Sequence, residues 1–432
     1  MHRTLALLCF FGGLAVAAAD IAVAQAPASL DDPNLRRYVE EVLARNAGLA
    51  AADLETVAAT ERMAPAGALP DPVLQFGAQA VPVPSFDFDE EAMTQLPIGI
   101  RQDFPSPGKQ GARTDVARQD SSVAVAGADR METELSASAA RVYFELAYAS
   151  TAEEIWRSRV ELAGEAVATA RVRYATGGVP QVDLLRAEVR RARLVEMALD
   201  PAAEVEAARA RADALRGGPG ATIEAADLAD DEATMVLAVL NDTLPGIGSL
   251  EGALDLANPD LRVARARVER ARSAARVFAI AARPDFYVSL QTGVRFGDRE
   301  PLVSAVAGLS LPLWSGRKQD PASRAATLAQ EAEEARYEDL RARLGGEVRA
   351  RRARLDALRG RVQVLRDEVL PLAAAASESG LASYATGETD LTTVLAAQDE
   401  LFEARLQLAR LVAGFGAERA ALAALLGEEW YR

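Results

Sequence analysis

The residue types best suited to nucleophilic catalysis and to zinc binding are almost absent from this chain. Among its 432 residues the only cysteine is Cys9 and the only histidine is His2. Activated thiolates and imidazoles are common nucleophiles and zinc ligands. No serine–carboxylate pairing, carboxylate dyad or glycine-rich phosphate loop stands out either. The sequence therefore predicts a protein that is not an enzyme and that binds no cofactor and no metal.

Cys9 and His2 both lie in an N-terminal segment with the three-part pattern of a secretory signal peptide. A short positive start, His2-Arg3, precedes an apolar run over 5–19 and a small-x-small cleavage site at Ala22-Val23-Ala24. The apolar run is shorter than the roughly 20 residues that span a bilayer. We expect 1–24 to be removed on export, which leaves a mature chain without cysteine or histidine. Lipidation is not expected, because Leu8 rather than a small residue precedes Cys9.

The overall composition narrows the class of protein further. The chain has 63 acidic and 48 basic residues, a net charge of −15, and half of its residues are apolar while only 5% are aromatic. Such an acidic chain does not suit a nucleic-acid binder, which must neutralise phosphates. Alanine, leucine and valine supply most of the apolar content, which favours closely packed helices. After residue 25 no apolar run is long enough for a transmembrane helix.

The sequence is an internal duplication. Four short segments recur in the same order at offsets of 209 to 214 residues. The pairs are Asn46-Ala47-Gly48-Leu49 with Asn258-Pro259-Asp260-Leu261, Pro70-Asp71 with Pro284-Asp285, Gly108-Lys109-Gln110 with Arg317-Lys318-Gln319, and Tyr174-Ala175-Thr176-Gly177 with Tyr384-Ala385-Thr386-Gly387. A unit of about half the chain is thus repeated in tandem.

Each repeat combines a helix, two strands of alternating apolar and polar residues, and a long helical hairpin. A 60-residue helix would extend roughly 90 Å, and Pro371 should kink the second one. The predicted bounds are 25–216 for the first repeat (strands about 73–81 and 96–104, hairpin about 107–216), 217–248 for an irregular connector, and 249–432 for the second repeat (strands about 286–295 and 302–313, hairpin about 321–428).

Four strands of about ten residues have the length needed to cross an outer membrane. They cannot close a barrel alone, because the smallest bacterial barrels have about eight strands, and an open sheet edge is not tolerated in lipid. If the strands span a membrane, the chain must oligomerise. A dimer would supply eight strands and a trimer twelve, of which only the wider barrel leaves an open lumen.

The chain resembles the TolC-type outer-membrane factors over nearly its whole mature length. That family carries two repeats of helix, strand pair and long helical hairpin, with a Tyr-x-x-Gly turn at each hairpin tip. The tips here are Tyr174–Gly177 and Tyr384–Gly387, followed by 182–188 and 391–398. The segments Leu69-Pro70-Asp71-Pro72 and Phe104-Pro105-Ser106-Pro107-Gly108-Lys109 resemble the outer-membrane channels of heavy-metal efflux systems of the resistance-nodulation-division (RND) type.

The resemblance implies a mainly α fold with a small β part. A homotrimer would form a 12-stranded outer-membrane β-barrel that continues as an α-helical periplasmic barrel in a Gram-negative bacterium. The expected partners are a periplasmic adaptor (membrane fusion) protein, an inner-membrane RND-type transporter and outer-membrane lipid, with no nucleic acid. The implied function is passive export, with heavy-metal cations as the expected cargo.

The resemblance also assigns roles to the two hairpin tips. The expected adaptor-docking residues are Ala175, Thr176, Gly177, Gly178, Val179, Ala385, Thr386, Gly387, Glu388 and Thr389. The expected lining of the periplasmic aperture is Tyr174, Asp183, Tyr384 and Asp390. A ring of carboxylates would favour cations. Acidic residues are also ordinary at helix N-termini, which suits Asp183 equally well and Asp390, as an N-cap, better than the aperture role. Some family members close the aperture with a basic residue near the second tip glycine, where this chain has Glu388 or Thr389.

Three other interpretations are compatible with parts of the sequence. An outer-membrane channel for multidrug efflux or for type I protein secretion would have the same architecture. An exported coiled-coil scaffold would explain the helices but not the alternating run from Val303 to Leu313. An exported hydrolase would need a nucleophile–base pair, and none is recognisable.

Overall fold

The structure, a computed structural model, describes residues 30–83, 85–223 and 234–431. The predicted signal peptide therefore lies outside the described residues. The first repeat contains α1 (Pro33–Arg45), α2 (Ala47–Glu61), α3 (Met63–Gly67), β1 (Val73–Phe76), β2 (Leu96–Phe104), α4 (Lys109–Ala175), α5 (Gln181–Met197) and α6 (Leu199–Leu215). After these come α7 (Thr234–Asn241), α8 (Ile247–Ala257), α9 (Pro259–Ala279), β3 (Phe286–Val294), β4 (Leu302–Leu309), α10 (Gln319–Val364), α11 (Leu370–Thr386) and α12 (Leu391–Leu425).

The four strands form one antiparallel sheet in the order β1-β2-β3-β4. The two repeats meet at its centre, where β2 pairs with β3 from Leu96 opposite Val294 to Phe104 opposite Phe286. Within the described residues, β1 and β4 each pair along one side only. The sheet therefore has two open edges, one from each repeat.

The faces of the sheet differ in chemistry. One face carries apolar side chains in register, such as Leu74 opposite Ile100 and Ile100 opposite Leu290. These side chains are exposed, and Phe76 on the same face is 84% exposed. Because the chain itself does not cover this face, it needs another apolar environment.

The opposite face of the sheet pairs glycines with long side chains. A Cβ at Gly308 would collide with the ring of Tyr287 on the neighbouring strand, and one at Gly99 would collide with Gln291. Arg101 stacks over the same Tyr287 ring, 3.9 Å from its centroid. Gly308 thus leaves room for the Tyr287 ring to lie across the neighbouring strand on this face.

Two strands are shorter than the sequence pattern suggests. The ladder of β1 stops at Phe76, and only an isolated bridge between Gln79 and Gln95 continues it. Ala80 has a positive φ of 56°, which an extended strand does not accommodate. In β4 regular pairing stops at Leu309, because Asp285 N–H donates to the Ser310 hydroxyl and Pro312 has no N–H to donate.

The hairpins are built from very long helices. Helix α4 has 67 residues and is therefore about 100 Å long. On the second hairpin the α-helical pattern changes to a π-helical turn at Leu365–Val369, directly before Pro371, because proline cannot supply the next backbone N–H. Among the described helices, none combines the length and the hydropathy that a bilayer-spanning helix requires.

Each repeat has one asparagine that joins the start of a helix to the end of the return helix. Asn46 caps α2 by accepting from Gly48 N–H, and its Nδ2 donates to the Leu215 carbonyl at 2.9 Å. Asn258 caps α9 by accepting from Leu261 N–H, and its Nδ2 donates to the Leu425 carbonyl at 2.7 Å. One amide side chain therefore starts a helix and also holds the end of its own return helix.

The largest hydrophobic core lies around the middle of α4, where the long helices meet the shorter ones. It contains Tyr143 and Phe144 of α4 and Phe415 of α12, all fully buried. Helix α7, in the part predicted as an irregular connector, packs Val236 and Val239 into this core. Residues 224–233 of that connector lie outside the described residues.

Replacing Asn258 with aspartate separates its two roles. Aspartate is a good helix N-cap, but it has no N–H for the Leu425 carbonyl and would place negative charge beside it. Because Asn258 is only 1% exposed, we expect Asn258→Asp to lower the free energy of unfolding by about 1–3 kcal/mol. Thermal unfolding of the purified protein measures this. An Asn258→Asp variant as stable as the parent would show that the capping bond alone matters.

Candidate functional site: the tips of the helical hairpins

The two hairpin tips have the same backbone geometry. Gly177 and Gly387 adopt left-handed φ values of 76° and 86° at the ends of α4 and α11. In the first tip Gly178 N–H donates to the Arg173 carbonyl at 2.7 Å, and in the second Glu388 N–H donates to Ser383 at 2.9 Å. This bond pattern is a Schellman motif, which closes a helix with a left-handed residue.

Most of the predicted docking residues are exposed at these turns. The exposed ones are Ala175, Thr176, Gly177, Gly178, Ala385, Thr386, Gly387 and Glu388, while Val179 and Thr389 are half-buried. The two turns thus present a small, nearly uncharged surface at one end of the molecule. Their role in docking remains a prediction.

The tips lie side by side because Arg173 of the first contacts Tyr384 of the second. Arg173 Nη1 donates to the Tyr384 carbonyl at 2.7 Å, and its guanidinium stacks 4.7 Å from the centroid of the Tyr384 ring. Sequence reasoning missed Arg173 and looked for a basic residue beside the second tip glycine. A difference between the two repeats could have pointed to it: Arg173 precedes the first Tyr-Ala-Thr-Gly turn, whereas Ser383 precedes the second.

The residues predicted to line the aperture are in different environments. Tyr174 is exposed, whereas Tyr384 is 2% exposed and packs with Val167 and Val394 between the hairpins. Burial raises the pKa of the Tyr384 phenol, and the Arg173 guanidinium beside it opposes the rise. In this arrangement Tyr384 joins the two hairpins instead of facing open space, and lining the aperture would require it to leave this contact.

The two predicted aperture carboxylates also differ. Asp183 is half-buried in the first turn of α5, where a negative charge is favoured by the helix dipole. Asp390 is the exposed N-cap of α12, and it accepts from the N–H of Thr393 at 2.8 Å and from its hydroxyl at 2.9 Å. These two bonds lower the pKa of the Asp390 carboxyl. The capping role considered from the sequence is therefore present, and the aperture role is a separate prediction.

A second link between the hairpins lies farther from the tips. Asp399 of α12 accepts from Arg159 of α4 at 2.5 Å and from Arg190 of α5 at 2.5 Å. The three side chains are 18 to 32% exposed, so water screens their interaction less than at an open surface. One carboxylate thus holds both helices of the first hairpin against the return helix of the second.

Aromatic rings support this Arg–Asp–Arg cluster. Trp156 and Phe402 pack edge to face with centroids 4.9 Å apart, and the Arg159 guanidinium lies 3.9 Å from the centroid of Phe402. Stacking on a ring fixes the direction of the guanidinium. Nothing local in the sequence identifies Asp399 as the partner of Arg190, because the two residues are 209 positions apart.

The described residues contain no group of three or more Asp, Glu, His or Cys side chains placed to hold a metal ion. The tip region offers exposed turns, isolated carboxylates and contacts between hairpins. This arrangement is suited to docking and to a change in the spacing of the hairpins, and it contains no recognisable nucleophile and base.

Comparisons with known proteins give a family match and similar folds. Residues 253–428 match the family described as "Outer membrane efflux protein". Among solved structures, the outer-membrane channel OprN is 20% identical, with a TM-score of 0.76. The match covers 94% of this chain and 92% of OprN. The channel-forming protein CusC is 17% identical, with a TM-score of 0.77. The match covers 92% of this chain and 93% of CusC. VceC of Vibrio cholerae, an outer membrane protein, is 20% identical, with a TM-score of 0.73. The match covers 92% of this chain and 96% of VceC.

No curated protein has a sequence significantly similar to that of this chain. The match of the second repeat to the efflux family and the similarity of the whole fold to outer-membrane channels confirm the resemblance to the TolC-type factors. They also confirm the predicted fold class of a duplicated, mainly α chain with a small sheet. The matched family and structures are efflux proteins and channels, not enzymes.

The cap at Asp390 predicts a pH-dependent local effect. Its folded-state pKa lies below the ordinary 3.8, so the carboxylate stabilises the start of α12 above that value, and the contribution is lost as the pH falls through the lowered pKa. We expect Asp390→Ala to speed hydrogen exchange in 391–394 at about pH 6. The difference between the two proteins should shrink as the pH falls through the lowered pKa. Equal exchange at the higher pH would contradict a capping role.

The Arg–Asp–Arg cluster predicts a larger effect on stability. Asp399→Ala would leave Arg159 and Arg190 facing each other without the shared carboxylate. We expect the free energy of unfolding to fall by about 1.5–3 kcal/mol, because hydrogen bonds to charged groups are lost. Glu153→Ala is the matched control: it removes an exposed ion pair with Arg157 one turn apart, which is worth less than about 1 kcal/mol. Equal losses in both variants, measured by thermal unfolding, would contradict the assigned role.

Proposed function

We propose that this chain, an outer membrane efflux protein by the match of residues 253–428 and a channel by its fold, forms the outer-membrane conduit of a tripartite efflux system. The observation that carries the proposal is a four-stranded sheet with an exposed apolar face and two open edges, attached to helical hairpins about 100 Å long. In lipid, the edges must be satisfied by further strands. Several copies of this chain would supply them.

Three copies give twelve strands and a barrel wide enough for an open lumen. The apolar face then contacts outer-membrane lipid, and the face with Arg101, Tyr287 and Gln291 lines the inside. The hairpins extend into the periplasm and bring both tips to the adaptor protein, which connects them to an inner-membrane transporter of the RND type. The channel itself supplies no energy, since no catalytic group is recognisable.

Heavy-metal cations are the cargo that we propose. The resemblance of Leu69–Pro72 and Phe104–Lys109 to the channels of metal efflux systems supports this choice. The acidic balance of the chain, −15 overall, would also favour the passage of cations. Multidrug efflux and type I protein secretion are the alternatives that the same architecture allows.

The conduit is tested by the mass of the detergent-extracted protein and by its conductance in a planar bilayer. We expect a trimer that conducts without an energy source. A protein that is soluble without detergent, monomeric and non-conducting would instead fit the exported scaffold, and the sheet would then be covered by something other than lipid.

The cargo is tested by deleting the gene and restoring it on a plasmid. We expect the deletion to sensitise cells to salts of copper, silver, zinc or cobalt, and the plasmid to restore resistance. Unchanged metal resistance with new sensitivity to organic drugs would assign the channel to multidrug efflux.

Docking at the tips predicts that a bulky charge on an exposed tip alanine blocks efflux. Ala385 is exposed and has no special backbone conformation, so Ala385→Arg should leave folding and conductance unchanged while efflux resistance and co-purification with the adaptor are lost. Ala374→Arg is the control, exposed on the same helix about 16 Å farther from the tip. Normal efflux in Ala385→Arg would contradict tip docking.

A further inference from the structure

A cavity of about 30 Å³ lies between α4, α5 and α12, beside the Arg–Asp–Arg cluster. A space of this size holds roughly two water molecules or one small ionic group. It reaches the surface at Arg405, which is exposed. Besides the cluster itself, the residues that line the cavity include Ser158 and Leu162 of α4, Leu194 of α5, and Gln398, Phe402 and Arg405 of α12.

The lining of the cavity carries an excess of positive charge. Arg159, Arg190 and Arg405 contribute three guanidiniums, and among the described residues that line the cavity Asp399 is the only acid, which leaves a net charge of +2. The side chains of Arg159 and Arg190 are only 18% and 29% exposed, so water screens their repulsion less than at an open surface. A further negative charge in the cavity would offset this excess.

Three polar side chains of the lining have no partner within the part of the chain that the structure describes. Ser158, Gln398 and Arg405 form neither a hydrogen bond nor an ion pair there. Each of them can donate, through a hydroxyl, an amide and a guanidinium respectively. Ser158 and Gln398 are half-buried, where an unpaired donor is costly. Donors that converge from two helices on one space favour a ligand that has several acceptor atoms.

The arginines of the cavity are held in place before any ligand binds. The Arg159 guanidinium lies 3.9 Å from the centroid of Phe402 and 5.1 Å from that of Trp156, and Asp399 accepts from both Arg159 and Arg190. A guanidinium that is already fixed loses little side-chain freedom on binding. Its planar set of N–H groups matches two oxygens of a carboxylate or a phosphate.

Water and chloride each satisfy only part of these requirements. Water molecules could accept from Ser158 and Gln398, but they carry no charge to offset the guanidiniums. Chloride carries the charge, but a single atom cannot accept two parallel bonds from one guanidinium fork. Leu162 and Leu194 line the same space and lower the local dielectric constant, which strengthens every bond between a guanidinium and an oxyanion.

We infer that this cavity binds a small oxyanion, and that a carboxylate or phosphate group is the chemistry it recognises. The anion accepts from Ser158, Gln398 and Arg405, and its charge offsets the excess of guanidiniums. It thereby joins α12 to both helices of the first hairpin, about 24 Å from the tip end of α4. The whole lining belongs to one copy of the chain, so the inference goes beyond the proposed conduit and does not depend on its oligomeric state.

Titration calorimetry tests the site with the full-length protein in detergent at constant ionic strength. We expect inorganic phosphate or acetate to bind saturably with one anion per chain, and the tighter of the two identifies a phosphate or a carboxylate as the preferred group. Arg405→Gln should weaken binding about tenfold or more, because a hydrogen bond between charged groups is lost. Arg405→Lys keeps the charge and should bind more tightly than Arg405→Gln.

The matched control is Arg157→Gln, which removes the same charge from an exposed position. Arg157 is two residues from Arg159 and about 200° around α4, so its loss should leave the affinity unchanged. Hydrogen exchange locates the site: phosphate should slow exchange in 155–163 and 398–405 of the parent and of the control, and not of Arg405→Gln.

Two results would overturn the inference. Equal affinities of Arg405→Gln and Arg157→Gln would show that binding depends on net charge and not on the cavity. Absence of saturable binding of both phosphate and acetate to the parent would show that the cavity takes no oxyanion. Neither result bears on the proposed conduit, which the mass and the conductance of the same protein test separately.

Discussion

The unsatisfied backbone of two sheet edges is the constraint on which this structure depends. Four strands pair in the order β1-β2-β3-β4, which leaves N–H and C=O groups of β1 and β4 without a partner strand among the described residues. Lipid does not satisfy such groups, and the exposed apolar side chains of the same strands avoid water. In the proposed membrane location a single copy cannot meet both conditions, whereas closure by further copies meets both. In the hairpin assembly the two edges also come from different repeats, with α5 of the first repeat at one edge and α11 of the second at the other.

The fold was largely predictable because its signals are repeated and periodic. Two collinear sets of motifs indicated the duplication, alternation indicated the strands, and the glycines of the two Tyr-Ala-Thr-Gly turns indicated where the long helices end. The breaks at Asn46 and Asn258 were harder to predict, since each depends on a partner carbonyl about 170 residues away. Helix α7 was missed because its short apolar run becomes helical by packing into the core of the hairpins.

The candidate site was predictable in its position but not in its contacts. Exposed tips follow from local turn chemistry, so the sequence located them. Tyr384 was expected to line an aperture, yet its ring is buried against Arg173, a residue of the other repeat. Asp399 offered no local signal either, because the two arginines that give it a role come from α4 and α5. Pairing over such sequence distances is determined by how the hairpins are packed.

The glycines of the polar sheet face have a consequence for the size of the passage. Tyr287 lies flat only because Gly308 stands opposite it on the neighbouring strand. In the proposed barrel, the open diameter of the passage thus depends on which two residues face each other on neighbouring strands, and not on one side chain alone. A larger residue in place of Gly308 would force the Tyr287 ring to stand upright, narrowing the proposed opening once per copy. In the proposed trimer, one substitution at Gly308 would therefore change the diameter of the passage at three equivalent positions at once.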